Sequence, residues 1–142
     1  MKIGIACDHA GYEMKEQLKK LLVEKGHEVR DFGTNSCTSV DYPDFAHPLA
    51  LAIEKGEVVY GISSCYSGNG INMTMNKHQG IRAALCWNDE IAYLARHHNN
   101  ANACSLPAHF ISLEEAERII GIFLAESFDG GRHQRRIDKM PA

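Results

Sequence analysis

Short apolar runs alternate along this chain with longer stretches in which apolar residues recur every three or four positions. Lys2 to Cys7 (KIGIAC) is apolar and β-compatible, and Asp8-His9-Ala10-Gly11 closes it. From Tyr12 to Lys25, Met14, Leu18, Leu21 and Leu22 fall on one helix face with Lys and Glu on the other, and Gly26 suits a helix stop. His27 to Phe32 reads as a second strand, and Gly33 to Ser39 as a polar loop. A helix carrying Phe45, Leu49, Ala52 and Ile53 then ends at Gly56. The apolar run from Val58 to Cys65 is a third strand, followed by a Gly-rich turn and a segment of helical character that ends near Lys77. Gly80 to Cys86 is a fourth strand, and Asn88 can cap a helix through Ile91, Leu94 and Ala95 that Asn99-Asn100 breaks. Ala101 to Leu106 is a weak fifth strand. Ser112 and Glu115 form a capping-box pattern ahead of Leu113, Ala116, Ile119, Ile120, Phe123 and Leu124, with Gly130-Gly131 as the stop and a basic tail beyond. Strands alternating with helices predict an α/β fold: a five-stranded parallel sheet with helices on both faces. Ligands of such sheets bind beyond the carboxyl ends of the strands.

Composition narrows the class without changing that picture. With 142 residues, 44% hydrophobic and 23% charged, the chain suits one domain over 1–142, its basic tail starting at about 130. A net charge of −3 gives no bulk attraction to nucleic acid or to an anionic membrane. No apolar run approaches the roughly 20 residues of a membrane span. The first residues read as a strand rather than a signal peptide. The five cysteines (Cys7, Cys37, Cys65, Cys86 and Cys104) are odd in number, scattered and free of any C-x-x-C pair. That argues against a disulfide framework or zinc ribbon, and the expected setting is a reducing cytoplasm.

The candidate chemistry gathers around Cys65. The thiol ends a strand and meets Tyr66-Ser67-Gly68-Asn69-Gly70, a turn whose glycines let a ligand approach the backbone. Amides in such a turn, at the start of a helix, can form an anion nest. Cys65 is then either a buried structural thiol, the reading that fits Cys7, Cys86 and Cys104, or a nucleophile or base. The loop lacks the full phosphate-loop and dinucleotide motifs, and an oxyanion cradle suits it better. Asp8 and His9 follow the first strand into the same crevice. His98 and Asn99 close a helix, where a histidine also complements the dipole. Arg132 and Arg136, at i and i+4, form either a solvated tail or a phosphate clamp. Asp8, His9, His98 and Cys65 match no trusted metal-ligand spacing, so no metal and no cofactor is expected.

Taken together, CDHAGYEMK at the start, DFGT with VDYPDFA, the Cys65 loop ending in NK, GIRAALC, ARHHNNAN and GGRHQRR resemble the ribose-5-phosphate isomerase B family, which includes the galactose-6-phosphate isomerase subunits. The resemblance runs almost end to end. It implies a Rossmann-like three-layer sandwich and a homodimer, or a tetramer, with sites at the subunit interface. The activity it implies is metal-free aldose–ketose isomerisation of a phosphorylated sugar, ribose 5-phosphate to ribulose 5-phosphate in the non-oxidative pentose phosphate branch. The family's proton acceptor is either a cysteine matching Cys65 or a glutamate at the position of Ile71, so the resemblance assigns that role to Cys65. It makes His98 the ring-opening residue with Asn99 as its partner, matches Asp8 and His9 to sugar binding, and puts the hydroxyl of Ser67 beside the reacting carbons. Tyr42, Arg132 and Arg136 match phosphate-end positions. Two positions depart from the family pattern. Tyr66 stands where Gly is usual, which should narrow the pocket or strain the loop. His109 stands where Arg is common, which should weaken the grip on the ligand. The alternatives are a six-carbon sugar phosphate such as galactose or allose 6-phosphate, a non-catalytic sugar-phosphate-binding protein, and a weaker thiol redox role.

Overall fold

A computed structural model describes residues 1–142. Its elements are β1 (Lys2–Cys7), a short 3-10 turn (His9–Gly11), α1 (Tyr12–Glu24), β2 (Glu28–Asp31), α2 (Pro43–Glu54), β3 (Tyr60–Cys65), α3 (Asn69–Met75), β4 (Ala83–Leu85), α4 (Asp89–His97), β5 (Ala103–Pro107), α5 (Leu113–Ala125) and α6 (Arg132–Ile137). The five strands form one sheet in the order β2-β1-β3-β5-β4, every neighbouring pair parallel. In register, Ile5 lies beside Ile62 and Ile62 beside Cys104. These residues line one face, where α1, α4 and α5 cover them through Leu18, Leu22, Ala92, Ala95, Ile119, Ile120 and Phe123. The alternate residues Ala6, Cys65 and Ala103 face the other way, under α2 and α3 with Leu49, Ile53, Ile71 and Met75. The fold is thus the parallel sheet covered on both faces that the alternating pattern predicts, and the Rossmann-like three-layer sandwich that the resemblance implies. No helix is long and apolar enough to cross a membrane.

The capping signals behave as the side-chain chemistry demands. The Asn88 side chain accepts from the Ile91 amide, and Ser112 and Glu115 form both halves of a capping box. Three expectations need correction. The fourth strand is only three residues long, because it is the sheet edge and side chains satisfy its approaches. Gly80 N–H donates to Glu54, Arg82 N–H to Asn102 and Ala83 N–H to Asn76. The last long helix ends at Ala125, well before Gly130-Gly131. There Glu126 turns extended, its carbonyl accepting from Arg96 and its carboxylate from His97. The basic segment is not a tail but a short helix, α6, that the two positive-φ glycines launch. The polar face of α1 also conceals an exception. Lys15 is fully buried, its ammonium held 2.7 and 2.8 Å from the two oxygens of Asp31 at the end of β2.

Candidate active site

The chain leaves β1 toward β2 and returns to β3 on the other side, so the connections at the carboxyl ends of β1 and β3 diverge and open a crevice. Asp8 stands at one lip. Its amide donates to the Ser64 carbonyl, and its Oδ1 accepts from the Ala10 and Gly11 amides at 2.9 and 3.2 Å, capping the turn that carries His9. Gly11 permits this close approach, since a Cβ there would lie 2.6 Å from the Ser64 carbonyl oxygen. His9 Nδ1 accepts from the Val40 amide at 3.2 Å, which draws in the loop leading to Tyr42. The Tyr42 ring lies directly over Gly70, where any Cβ would collide with it.

Cys65 ends β3 at the other lip, buried against α2 and α3 with Ile71 and Met75. Gly68 takes φ +77 and begins the turn into α3, and Ser67 Oγ accepts from the Asn69 amide. The amides of Ser67, Gly68, Gly70 and Ile71 have no acceptor within the protein, so this turn presents a nest of donors beside the thiol. The other thiols are differently placed. Burial pushes Cys7 up to about 12, and a hydrogen bond with Cys86, together with burial, raises Cys104. Both are inert structural sulfurs at neutral pH.

Tyr66 does not strain the loop. No positive φ occurs there, so the conformational penalty expected for replacing glycine does not arise. Its ring is half-exposed and stacks on His109 at 4.3 Å and 13°, with Phe110 edge-on at 5.7 Å. Backbone bonds from Ala108 to Cys65 and from His109 to Tyr66 carry the β3–β5 pairing beyond the sheet and hold the two aromatic residues together.

The remaining candidates lie elsewhere. Helix α4 runs back against the strands, and His98 follows its last turn at the amino edge of the sheet. There the Asn102 amide donates to Arg82 and its carbonyl accepts from Gly61. Arg82 holds the Asn99 and Asn100 carbonyls at 3.0 and 2.9 Å. The His98 ring stacks on His133 of α6 at 4.2 Å and 13°, and Arg132 and Arg136 project from the same short helix. His97 Nδ1 is 2.6 Å from Asp129 and its Nε2 2.8 Å from Glu126. Those two carboxylates raise the His97 pKa. Burial, followed by the positive potential of His98, Arg132 and Arg136, lowers that of His133.

Within one chain the candidates therefore form two half-sites. Asp8, His9, Tyr42, Cys65, Tyr66, Ser67, Gly68, Asn69, Gly70 and His109 belong to the carboxyl edge; His98, Asn99, Arg132 and Arg136 belong to the amino edge. The length of β3, about 17 Å at 3.3 Å per residue, separates the two. The same separation keeps Asp8, His9, His98 and Cys65 from meeting as ligands of one ion in a single chain. Sequence reasoning missed His133 and Asp129, whose ligand atoms lie within 4.8 Å of each other and of His98. His133 lies inside the segment read as a tail, and nothing local to Asp129 marks it.

Comparison with known proteins shows the family. The profile of the Ribose/Galactose Isomerase family matches residues 3–140. This chain belongs to that family. Ribose-5-phosphate isomerase B of Escherichia coli is 41% identical over 141 residues, covering 99% of this chain and 95% of the relative. The crystal structure of a ribose 5-phosphate isomerase from Thermotoga maritima superposes with a TM-score of 0.96 at 50% identity, covering 97% of this chain and 95% of that one. The Mycoplasma genitalium ribose-5-phosphate isomerase B, solved with bound ribulose-5-phosphate, gives 0.94 at 41% identity, covering 98% and 93%.

Proposed function

We propose that this chain, acting as one domain over residues 1–142, is an aldose–ketose isomerase that interconverts ribose 5-phosphate and ribulose 5-phosphate through an enediolate. The observation that carries the reading is the junction of the Cys65 thiol with the free amides of Ser67, Gly68, Gly70 and Ile71. His98, with Asp8, opens the sugar ring. The Cys65 thiolate takes the proton from C2, and the amides hold the negative charge that develops on the enediolate oxygens. The same sulfur returns the proton to C1. His9, Asn99 and Ser67 orient the sugar, while Tyr42, His109, Arg132 and Arg136 hold the phosphate and so fix the distance between C2 and sulfur.

The separation of the half-sites supports a homodimer in which each active site takes its carboxyl-edge half from one subunit and its amino-edge half from the other. A two-fold axis makes both sites complete at once. Free, mostly buried thiols suit a reducing cytoplasm, and interconversion of these two pentose phosphates suits the non-oxidative pentose phosphate branch. The absence of backbone strain at Tyr66 weakens one reason to prefer a non-catalytic binding protein.

The test is turnover of ribose 5-phosphate by the purified protein beside Cys65→Ala. The variant is expected to lose at least about a hundredfold in kcat, the scale of a positioned general base. Equal turnover in both would remove Cys65 from the base role. The family's own name spans ribose and galactose, so the same assay with galactose and allose 6-phosphates decides the length of the sugar.

A further inference from the structure

The histidine taken to open the sugar ring has neighbours whose arrangement the isomerase reading does not explain. His97 lies between two carboxylates, 2.6 Å from Asp129 and 2.8 Å from Glu126, and stacks on Tyr93 at 3.9 Å. The Asp129 amide also donates to the His97 carbonyl at 3.1 Å. Asp129 is thus pinned by side chain and backbone to the last turn of α4, immediately before His98. A carboxylate oxygen of Asp129 lies within 4.8 Å of a ring nitrogen of His98 and of one of His133. His133 in turn lies flat against His98 and fixes the plane of its ring.

From this geometry we infer that Asp129 is a positioning residue for His98. Held by His97, it orients and polarises the His98 imidazole so that this ring can carry a proton between two sugar oxygens. The inference rests on the isomerase reading above. In the step concerned the C1–O4 bond breaks and its electron pair goes to O4. O4 takes a proton from the imidazole, O1 gives one up, and C1–O1 becomes the carbonyl, so no net proton or electron is gained or lost. A carboxylate beside the ring offsets the positive charge that the imidazole carries while it passes a proton between the two oxygens.

Asp129→Asn tests this, because it keeps an oxygen acceptor for His97 and removes the charge. The Asp129 side chain is half-exposed in a loop, so the variant is expected to fold. Two rates are read. One is conversion of ribose 5-phosphate, which enters as a ring. The other is exchange of the C1 proton of ribulose 5-phosphate with heavy water, followed by NMR, which involves only the open chain. We expect conversion of ribose 5-phosphate to fall about tenfold or more while C1 exchange stays within about twofold of wild type. Parallel loss of both rates, or retention of both, overturns the role of Asp129. Cys65→Ala is the contrasting control, since it should lose both. A wild-type protein that performs neither reaction overturns the isomerase reading itself, and this inference with it.

Discussion

Gly68 shows how tightly single residues constrain the loop. Its φ of +77 lies where L side chains are rare, and a Cβ there would stand 2.5 Å from Leu85 Cδ1 and 3.1 Å from the Leu106 carbonyl. Gly68→Ala is expected to cost about 2 kcal/mol, combining left-handed strain with a steric shift. It should also lower kcat/KM, because the amides of the nest move with it. Urea denaturation and steady-state kinetics check the two effects separately. Cys65 and the glycines after it were legible because a thiol ending an apolar run before a Gly-x-Gly turn is a local signal. The stack of Tyr66 on His109 was not, since 43 positions separate the two residues in the chain and only the extension of β3 alongside β5 brings them together.

Among the elements, the junction of α1 with β2 carries the largest electrostatic stake. Lys15 is fully buried and bonded to both oxygens of Asp31, whose carboxylate also takes the Gly33 amide at 2.8 Å and Lys19 at 3.0 Å. Gly33 and Thr34 then bond to the Cys7 backbone at 2.7 and 2.8 Å, so the ion pair braces the end of β1 from which Asp8 projects. Burial alone would raise the Asp31 pKa, but hydrogen bonds from Lys15, the Gly33 amide and Lys19 outweigh it and hold the carboxylate below its ordinary value. A depressed carboxylate contributes stability that is present above its unfolded pKa and lost as pH falls through the folded one. Wild type should therefore lose stability below about pH 4. Lys15→Met, which leaves the largely buried carboxylate with only Lys19 and the Gly33 amide, is expected to cost about 2 kcal/mol at neutral pH and to flatten that acid limb. Urea titrations between about pH 3 and 7 measure both. The amphipathic period of α1 is plain in the sequence. That one of its lysines points inward is not, because the partner that makes burial tolerable comes from a different element.

At the scale of the whole molecule, two half-sites on opposite edges of one sheet predict complementation. In the homodimer proposed above, Cys65→Ala and His98→Ala variants should each be inactive. Unfolded together and refolded as a mixture, they should recover about a quarter of wild-type activity, since half the dimers are hetero and each of those has one intact site. Recovery of no activity on mixing, with light scattering confirming mixed dimers, would place both groups in one subunit's site. The strand and helix order, the parallel sheet, the caps at Asn88 and Ser112 and the Cys65 cradle all follow from periodicity and turn chemistry within a few neighbouring residues. Which candidates share an edge, how far apart the edges stand, and the grouping of His97, His98, Asp129 and His133 depend on crossovers that join residues distant in the chain. Side-chain periodicity specifies which face of an element is buried. The order in which strands enter the sheet decides what those faces and ends meet.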